Sequence, residues 1–176
     1  MGTPATIVHL TRTCAATETD CADGKDDDCN GLVDCRDPAC ATSPACTSGG
    51  PCQGATPLAC NSTVTGSTDG GPTRLARYAC DPWLELGAEA YYRLTPTASG
   101  QVTAKLSGLG TDLDLVVLRA TASGACDPTS GGCLASSSTS GPEQVTFTVT
   151  AAQPYYLVVD GYNGASGAFT LQVTCP

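Results

Sequence analysis

The chain has 176 residues and a formal net charge of −9; apolar residues make up 41% of it, but it holds only two Phe and one Trp. That acidity argues against nucleic acid and anionic membranes as partners, because both need a basic face, and no apolar run approaches the ~18 residues of a membrane span. Twelve cysteines in so short a chain imply disulfides and an oxidising compartment, and zinc is disfavoured because no Cys-x-x-Cys pair occurs and His9 is the single histidine.

Residues 1–13 form a lead segment with one strand-like run, Thr6 to Thr11. The lead has neither a basic n-region nor an apolar core of sufficient length, so the leader of an exported protein is expected to be absent from this sequence. Residues 14–46 hold six cysteines and almost no apolar periodicity. Such a segment buries little surface, so crosslinks and metal must hold it.

Within it, the stretch from Asp26 fits the twelve-residue calcium loop of an EF-hand. Asp26, Asp28 and Asn30 fall at loop positions 1, 3 and 5, and Gly31 falls at the sharp turn of position 6. Leu32 at position 7 would offer its carbonyl, Val33 at 8 is apolar, Asp34 is at 9 and Asp37 at 12. Hard oxygen ligands at alternate positions of a tight turn converge on one centre, which is the requirement of Ca²⁺. Asp37 is one methylene shorter than the usual bidentate Glu. No amphipathic helix flanks the loop; Cys21, Cys29, Cys35 and Cys40 crowd it instead. A disulfide-held cage of this kind suits a structural role better than a switch.

Residues 47–51 (TSGGP) read as a linker, and residues 52–176 hold the other six cysteines. This second part alternates with period 2: Val102, Ala104, Leu106; Leu113, Leu115, Val117; Val145, Phe147, Val149; Tyr155, Leu157, Val159; Phe169, Leu171, Val173. With Tyr91–Thr95, a strand near Arg74–Tyr78 and another at Leu134–Ser137, the pattern predicts about eight strands. Short antiparallel strands with Gly-rich turns between them predict an all-β, antiparallel β-sandwich of jelly-roll type.

Cys126 and Cys133 bracket a Pro/Gly turn, and a local disulfide is expected there. Cys52, Cys60, Cys80 and Cys175 leave three pairings open, with Cys175 expected to tie the C-terminus to the start of the domain. Asp112 and Asp114 share one strand face, and Asp160 ends a later strand. Together they form a candidate second cation site, against the ordinary reading of turn chemistry. Glu85, Glu89 and Glu143 read as surface residues by default. One ring of each doublet, Tyr91-Tyr92 and Tyr155-Tyr156, is expected to face solvent, where exposed Tyr and Trp83 offer stacking surfaces. Asn61-Ser62-Thr63 is a glycosylation sequon by pattern. No catalytic constellation stands out.

The pieces PLACNSTVTGST, AEAYYRLTPTASGQVTAKLSG, TDLDLVVL and PYYLVVDGYNGASGAFTLQVTC give residues 57–175 a resemblance to the bacterial pre-peptidase C-terminal (PPC) domain. The likeness is strongest to its cysteine-containing forms in myxobacterial and related secreted proteins. Residues 18–40 resemble the Asp/Cys-rich metal-binding motif found beside such domains. The resemblance implies a calcium-associated or purely structural β-sandwich that is an accessory module of exported enzymes and not itself catalytic. The expected function is therefore a non-catalytic, secreted or cell-surface, calcium-binding module. Two alternatives remain: a subunit of an extracellular filament or surface assembly, in which Thr6–Thr11 adds as a strand to a copy of itself or another surface protein, and carbohydrate or matrix binding through exposed Tyr and Trp83.

Overall fold

A computed structural model describes residues 13–21, 25–30, 37–40, 43 and 50–176. Ten strands run β1 (Thr56–Leu58), β2 (Ser62–Ser67), β3 (Ala90–Leu94), β4 (Gly100–Ser107), β5 (Leu113–Ala120), β6 (Cys126–Asp127), β7 (Cys133–Ser137), β8 (Glu143–Val149), β9 (Tyr155–Gly161) and β10 (Ala168–Thr174). They form two sheets. One has the order β1-β3-β9-β5, with β6 and β7 both on the far side of β5; the other has the order β2-β10-β4-β8. Every neighbouring pair is antiparallel except β1 with β3. From β2 to β5 and again from β8 to β10 the chain alternates between the sheets. This is the all-β sandwich that the alternating pattern predicts. No described helix is long and apolar enough to cross a membrane.

The period-2 residues meet between the sheets. Leu94, Leu113, Leu115, Val117, Leu157 and Val159 from one side pack on Val102, Leu106, Val145, Phe147, Phe169 and Leu171 from the other. The four-stranded sheet keeps its outer face wet, as the alternating burial of β2, β4, β8 and β10 shows. The six-stranded sheet does not. A second apolar cluster, built on Tyr91, Val116, Leu118, Ala120, Tyr156 and Val158, lies on its outer face under Cys52 and Tyr78. β5 and β9 are thus buried on both faces. All four doublet tyrosines are buried (Tyr91, Tyr92, Tyr155, Tyr156), contrary to the expectation of one wet ring in each. The covering segments occupy the face that alternation leaves to solvent.

The main cover is the stretch 72–87. The strand expected near Arg74–Tyr78 is absent; these residues are irregular. Their amides bond a side chain instead: Arg74 and Leu75 N–H donate to the two oxygens of Glu89, at 2.6 and 2.8 Å. The expected linker end is also packed. Gly50, Pro51 and Cys52 form a buried 3₁₀ turn, and the Arg74 guanidinium donates to the carbonyls of Pro51 and Gln53.

Disulfides Cys52–Cys126 and Cys80–Cys133 fasten this cover to the sheet. They replace the expected Cys126–Cys133 bond. Cys126 stands opposite Ala120 and Cys133 opposite Leu118, so both face the second cluster, where each meets a cysteine from a covering segment. Cys60–Cys175 ties the last strand to the start of the sandwich, as expected. Among the described residues of the N-terminal part, Cys14 is bonded to Cys29 and Cys21 to Cys40. The strand-like run Thr6–Thr11, on which the assembly alternative rests, lies outside the described residues.

Candidate metal centres

Glutamate is ordinarily among the most exposed residues. This chain has four, and all are buried: Glu18, Glu85, Glu89 and Glu143. The surface default is overturned for the last three. Glu89 and Glu143 are saturated. Glu89 accepts from two backbone amides and from the hydroxyl of Tyr91, with Tyr78 Oη 3.3 Å away. Glu143 accepts from Ser137 and from both the amide and hydroxyl of Thr139. Glu85 differs: it is fully buried, and no N–H or hydroxyl donates to either carboxylate oxygen; a proton shared with the carboxyl of Asp114 is the one hydrogen bond open to it.

Glu85 owes its place to an inverted segment. In Pro82-Trp83-Leu84-Glu85-Leu86, the apolar side chains point out and the acid points in, with Trp83 51% and Leu86 52% exposed. Backbone bonds hold this inversion. Glu85 bridges Tyr162 as an added strand position, Glu85 N–H donates to Ala76 and Gly87 N–H donates to Gly161 at 2.9 Å. Glycines permit the approach: a Cβ on Gly161 would lie 1.8 Å from the Ala165 carbonyl, and one on Gly87 2.3 Å from the same atom. Beyond Tyr162, whose N–H donates to Asp112, lies the start of β5.

There Asp114 faces Glu85. One oxygen of Asp114, one of the nearby Asp112 and one of Asp81 are also buried without a partner. Burial raises the Glu85 and Asp114 carboxyls, and the charge of Glu85 raises Asp114 further. Asp160 is the direct cross-strand neighbour of Asp114, but it is turned to other partners. It accepts from Tyr78 Oη at 2.6 Å and from Gly161 N–H at 2.7 Å. Burial, then the charge of Glu89, pushes it up to about 8. Of the expected trio, Asp112 and Asp114 therefore border one cavity, while Asp160 belongs to a saturated network with Tyr78 and Glu89. Glu85 stands where the sequence offered Asp160. The signal for it was the acid inside the apolar run PWLEL.

The cavity mouth has a volume of about 210 Å³ and is lined by Trp83, Asp112, Asp114, Ser138, Thr139, Ser140 and Tyr162. Trp83 and Tyr162 meet edge to face, ring centroids 6.0 Å apart.

The acidic loop forms the other cluster. Glu18, Asp26 and Asp28 each bring a carboxylate oxygen to within 4.8 Å of the others. Asn30 joins Asp26 and Asp28 through its amides, and its Nδ2 donates to Asp28 at 3.1 Å and to Asp37 at 2.6 Å. Asp26, Asp28, Asn30 and Asp37 are thus gathered at one place, whereas Leu32 and Asp34 lie outside the described residues. Asp27, at loop position 2, turns away: Thr19 and the Asp20 amide hydrogen-bond its carboxylate, and the Thr19 bond holds it below the usual carboxylate range. Glu18 is the residue that sequence reading missed. One of its oxygens takes the Asp27 amide at 2.9 Å, and the other is buried without a partner. The loop spacing could not reveal it, because Glu18 precedes the loop and the bonds Cys14–Cys29 and Cys21–Cys40 bring its segment alongside.

Residues 88–161, from the start of β3 to the end of β9, match the model of the bacterial pre-peptidase C-terminal domain family. The chain carries a PPC domain. Among solved structures, the pre-peptidase C-terminal domain of a Bacillus anthracis collagenase is 16% identical, covering 68% of this chain and 94% of that one, with a TM-score of 0.46. Aeromonas hydrophila PliG, a periplasmic inhibitor of g-type lysozyme, is 16% identical over 68% of this chain and 95% of its own, TM-score 0.43. A family 35 carbohydrate-binding module from an environmental isolate is 15% identical over 55% and 77%, TM-score 0.31. No curated protein matches the chain. A PPC domain is a non-catalytic module, typically an accessory of secreted proteins, and with the disulfides it points to an extracytoplasmic location. The matched stretch of the PPC domain contains Asp112, Asp114 and Asp160; Trp83 and Glu85 fall just before it, and the acidic loop lies outside it.

Proposed function

We propose that this chain is a calcium-binding accessory module of an exported protein, with one Ca²⁺ site in the acidic loop and a second at the end of the sandwich. One observation carries the reading. Among the described residues, every buried side-chain polar atom without a partner is a carboxylate oxygen, and each belongs to one of these two clusters: Glu18 in the first, and Asp81, Glu85, Asp112 and Asp114 in the second. Orphaned buried carboxylates are strongly unfavourable, and a hard divalent cation is the counter-charge that oxygen ligands of this number suit.

In the loop, Glu18, Asp26, Asp28 and Asp37 would hold the ion, with Asn30 turning its carbonyl oxygen inward and Leu32 and Asp34 completing the set. At the sandwich end, Glu85, Asp112 and Asp114 would hold it, with Asp81 beside them. The ion supplies charge neutralisation that ties the cover segment 72–87 to β5; no reaction is implied. The reading places the protein in the secreted or cell-surface fraction.

Calorimetric titration of calcium-stripped protein tests it. Two sites are expected, one lost in Asp28→Ala and the other in Glu85→Gln. Absence of binding heat at millimolar Ca²⁺ rejects the reading.

A further inference from the structure

Two features at the sandwich end are left over once a cation is assigned to it. The first is a concentration of exposed apolar surface. Trp83, Leu84, Leu86 and Tyr162 are four of the five large hydrophobic side chains exposed among the described residues, the fifth being Leu134. Four such side chains on one rim, three of them from a single inverted run, break the usual rule that a strand turns its apolar residues inward. Departures of this kind collect at functional sites. The second feature is the chemistry of the adjoining cavity. Its lining combines two carboxylates (Asp112, Asp114), three consecutive hydroxyl side chains (Ser138, Thr139, Ser140) and two aromatic rings (Trp83, Tyr162).

We propose that this cavity is a saccharide subsite in which neighbouring hydroxyls of a neutral sugar complete the coordination of the cation held by Glu85, Asp112 and Asp114, while the sugar ring packs on Trp83 and Tyr162. The proposal rests on the second calcium site proposed above and names what that site recognises. A cluster of acids takes a cation, and Ca²⁺ accepts six to eight oxygen ligands, more than three or four carboxylates supply when each gives one oxygen. Asp112 and Asp114 line a cavity of about 210 Å³, room for one pyranose ring beside the ion they would hold. Trp83 and Tyr162 sit edge to face and are 51% and 40% exposed, which offers apolar ring surface to the C–H side of a sugar. The hydroxyls of Ser138 and Ser140 can donate and accept toward the polar edge of the same ring, while Thr139, whose proton goes to Glu143, can only accept. Charge selects the class: with a net −9 on the chain, a polyanionic glycan is repelled, and a neutral polyol is not.

Trp83 is the single tryptophan, so its fluorescence reports on this cavity and not on the acidic loop. Three measurements on the full chain separate the cation from the sugar. Titration of calcium-stripped protein should change Trp83 emission in the wild type and in Asp28→Ala, and not in Glu85→Gln. Affinity electrophoresis through gels containing mannan, galactomannan, xyloglucan, arabinogalactan or dextran should retard the wild type in Ca²⁺ with at least one polymer. Retardation should be lost in EGTA and weakened about tenfold or more in Trp83→Ala. Trp83→Ala should keep its calcium heat, so that lost retardation cannot be laid to lost metal. A calcium-dependent change in Trp83 emission without retardation in any of these gels overturns the saccharide proposal and leaves the cation site standing. No emission change with Ca²⁺ removes the cation site, and the proposal falls with it. Calcium-suppressed binding of a polylysine peptide would show instead that the acidic cluster serves a basic partner segment, and that too overturns the proposal.

Discussion

Replacing Glu85 by Gln perturbs the sandwich end in two opposite directions, and the pair of effects is diagnostic. In the calcium-free protein, Glu85 and Asp114 are buried acids that face one another, and no other group donates to the Glu85 oxygens or to one oxygen of Asp114. Glutamine keeps the shape, removes one negative charge, and offers an amide N–H to the orphaned Asp114 oxygen. A hydrogen bond to a charged group is worth about 1.5–3 kcal/mol. For a chain of this length that is a rise in Tm of roughly 4–8 °C in EGTA at pH 8. In saturating calcium the order reverses. The wild type gains about 2.7 kcal/mol at a hundredfold excess over its dissociation constant, and a variant lacking the ligand gains nothing at this site. Calorimetric melts of both proteins in EGTA and in millimolar Ca²⁺ read all four values, and Trp83 emission confirms which site responds. A variant that melts lower than wild type in EGTA, or that keeps the full calcium gain of the sandwich transition, would refute the assignment of Glu85 as an unpaired ligand.

Other outcomes follow from the same geometry. Asp28→Ala and Glu18→Gln should each remove one calcium site by calorimetry and loosen residues 14–40, read by proteolysis, while leaving the sandwich melt unchanged. Tyr78→Phe strips the donor from the buried Asp160 oxygen and should destabilise the sandwich by about 1–3 kcal/mol in urea unfolding. Asp160 titrates near 8 in the folded state against an ordinary 3.8. The calcium-free fold therefore holds more protons than the unfolded chain between those values, and its contribution to stability is full below about pH 4 and falls as pH rises towards 8. Denaturant midpoints in EGTA across that range check the sign; a midpoint rising from pH 5 to pH 8 in the wild type but not in Asp160→Asn contradicts it. Peptide mapping without reduction should recover Cys52 with Cys126, Cys80 with Cys133 and Cys60 with Cys175, and a Cys126–Cys133 peptide would show that the cover is not fastened as described.

The sandwich itself was legible because its inward faces carry strict alternation: Val102, Ala104 and Leu106 or Phe169, Leu171 and Val173 can belong only to strands with one buried face. What alternation cannot show is a face buried by something irregular. The run LDLVVL looked imperfect as a half-buried strand because β5 is buried on both sides, and the Tyr doublets were misread for the same reason. The cover over that face has no period of its own. It is held by the side chain of Glu89, by Tyr78 and by two disulfides, all long-range contacts that leave no local mark. The same blindness hid part of the acidic clusters. Asp26, Asp28 and Asn30 were legible because the loop brings its own oxygen side chains at fixed spacing. Glu18 and Glu85 come from other segments, placed by crosslinks and by a backbone bridge. The pairing of Cys126 with Cys52 instead of nearby Cys133 was hidden likewise, since sequence proximity says nothing of which cysteine a cover segment delivers.

The bond between Cys60 and Cys175 has a mechanical meaning. If the module stands between other parts of a polypeptide outside the cell, drag or adhesion pulls on its two ends. The pull enters near Cys52 and leaves at Cys175, and the covalent route between them runs from Cys52 to Cys60 and straight across the disulfide. Only those few residues can be drawn out, about 30 Å of chain, instead of the ~400 Å that an unbridged sandwich would release on unravelling. Strands β2 to β10 sit inside the covalent loop closed by Cys60–Cys175, so load reaches them only through Cys52–Cys126, which also anchors the start of the drawn segment to β6, and the module behaves as a nearly inextensible link.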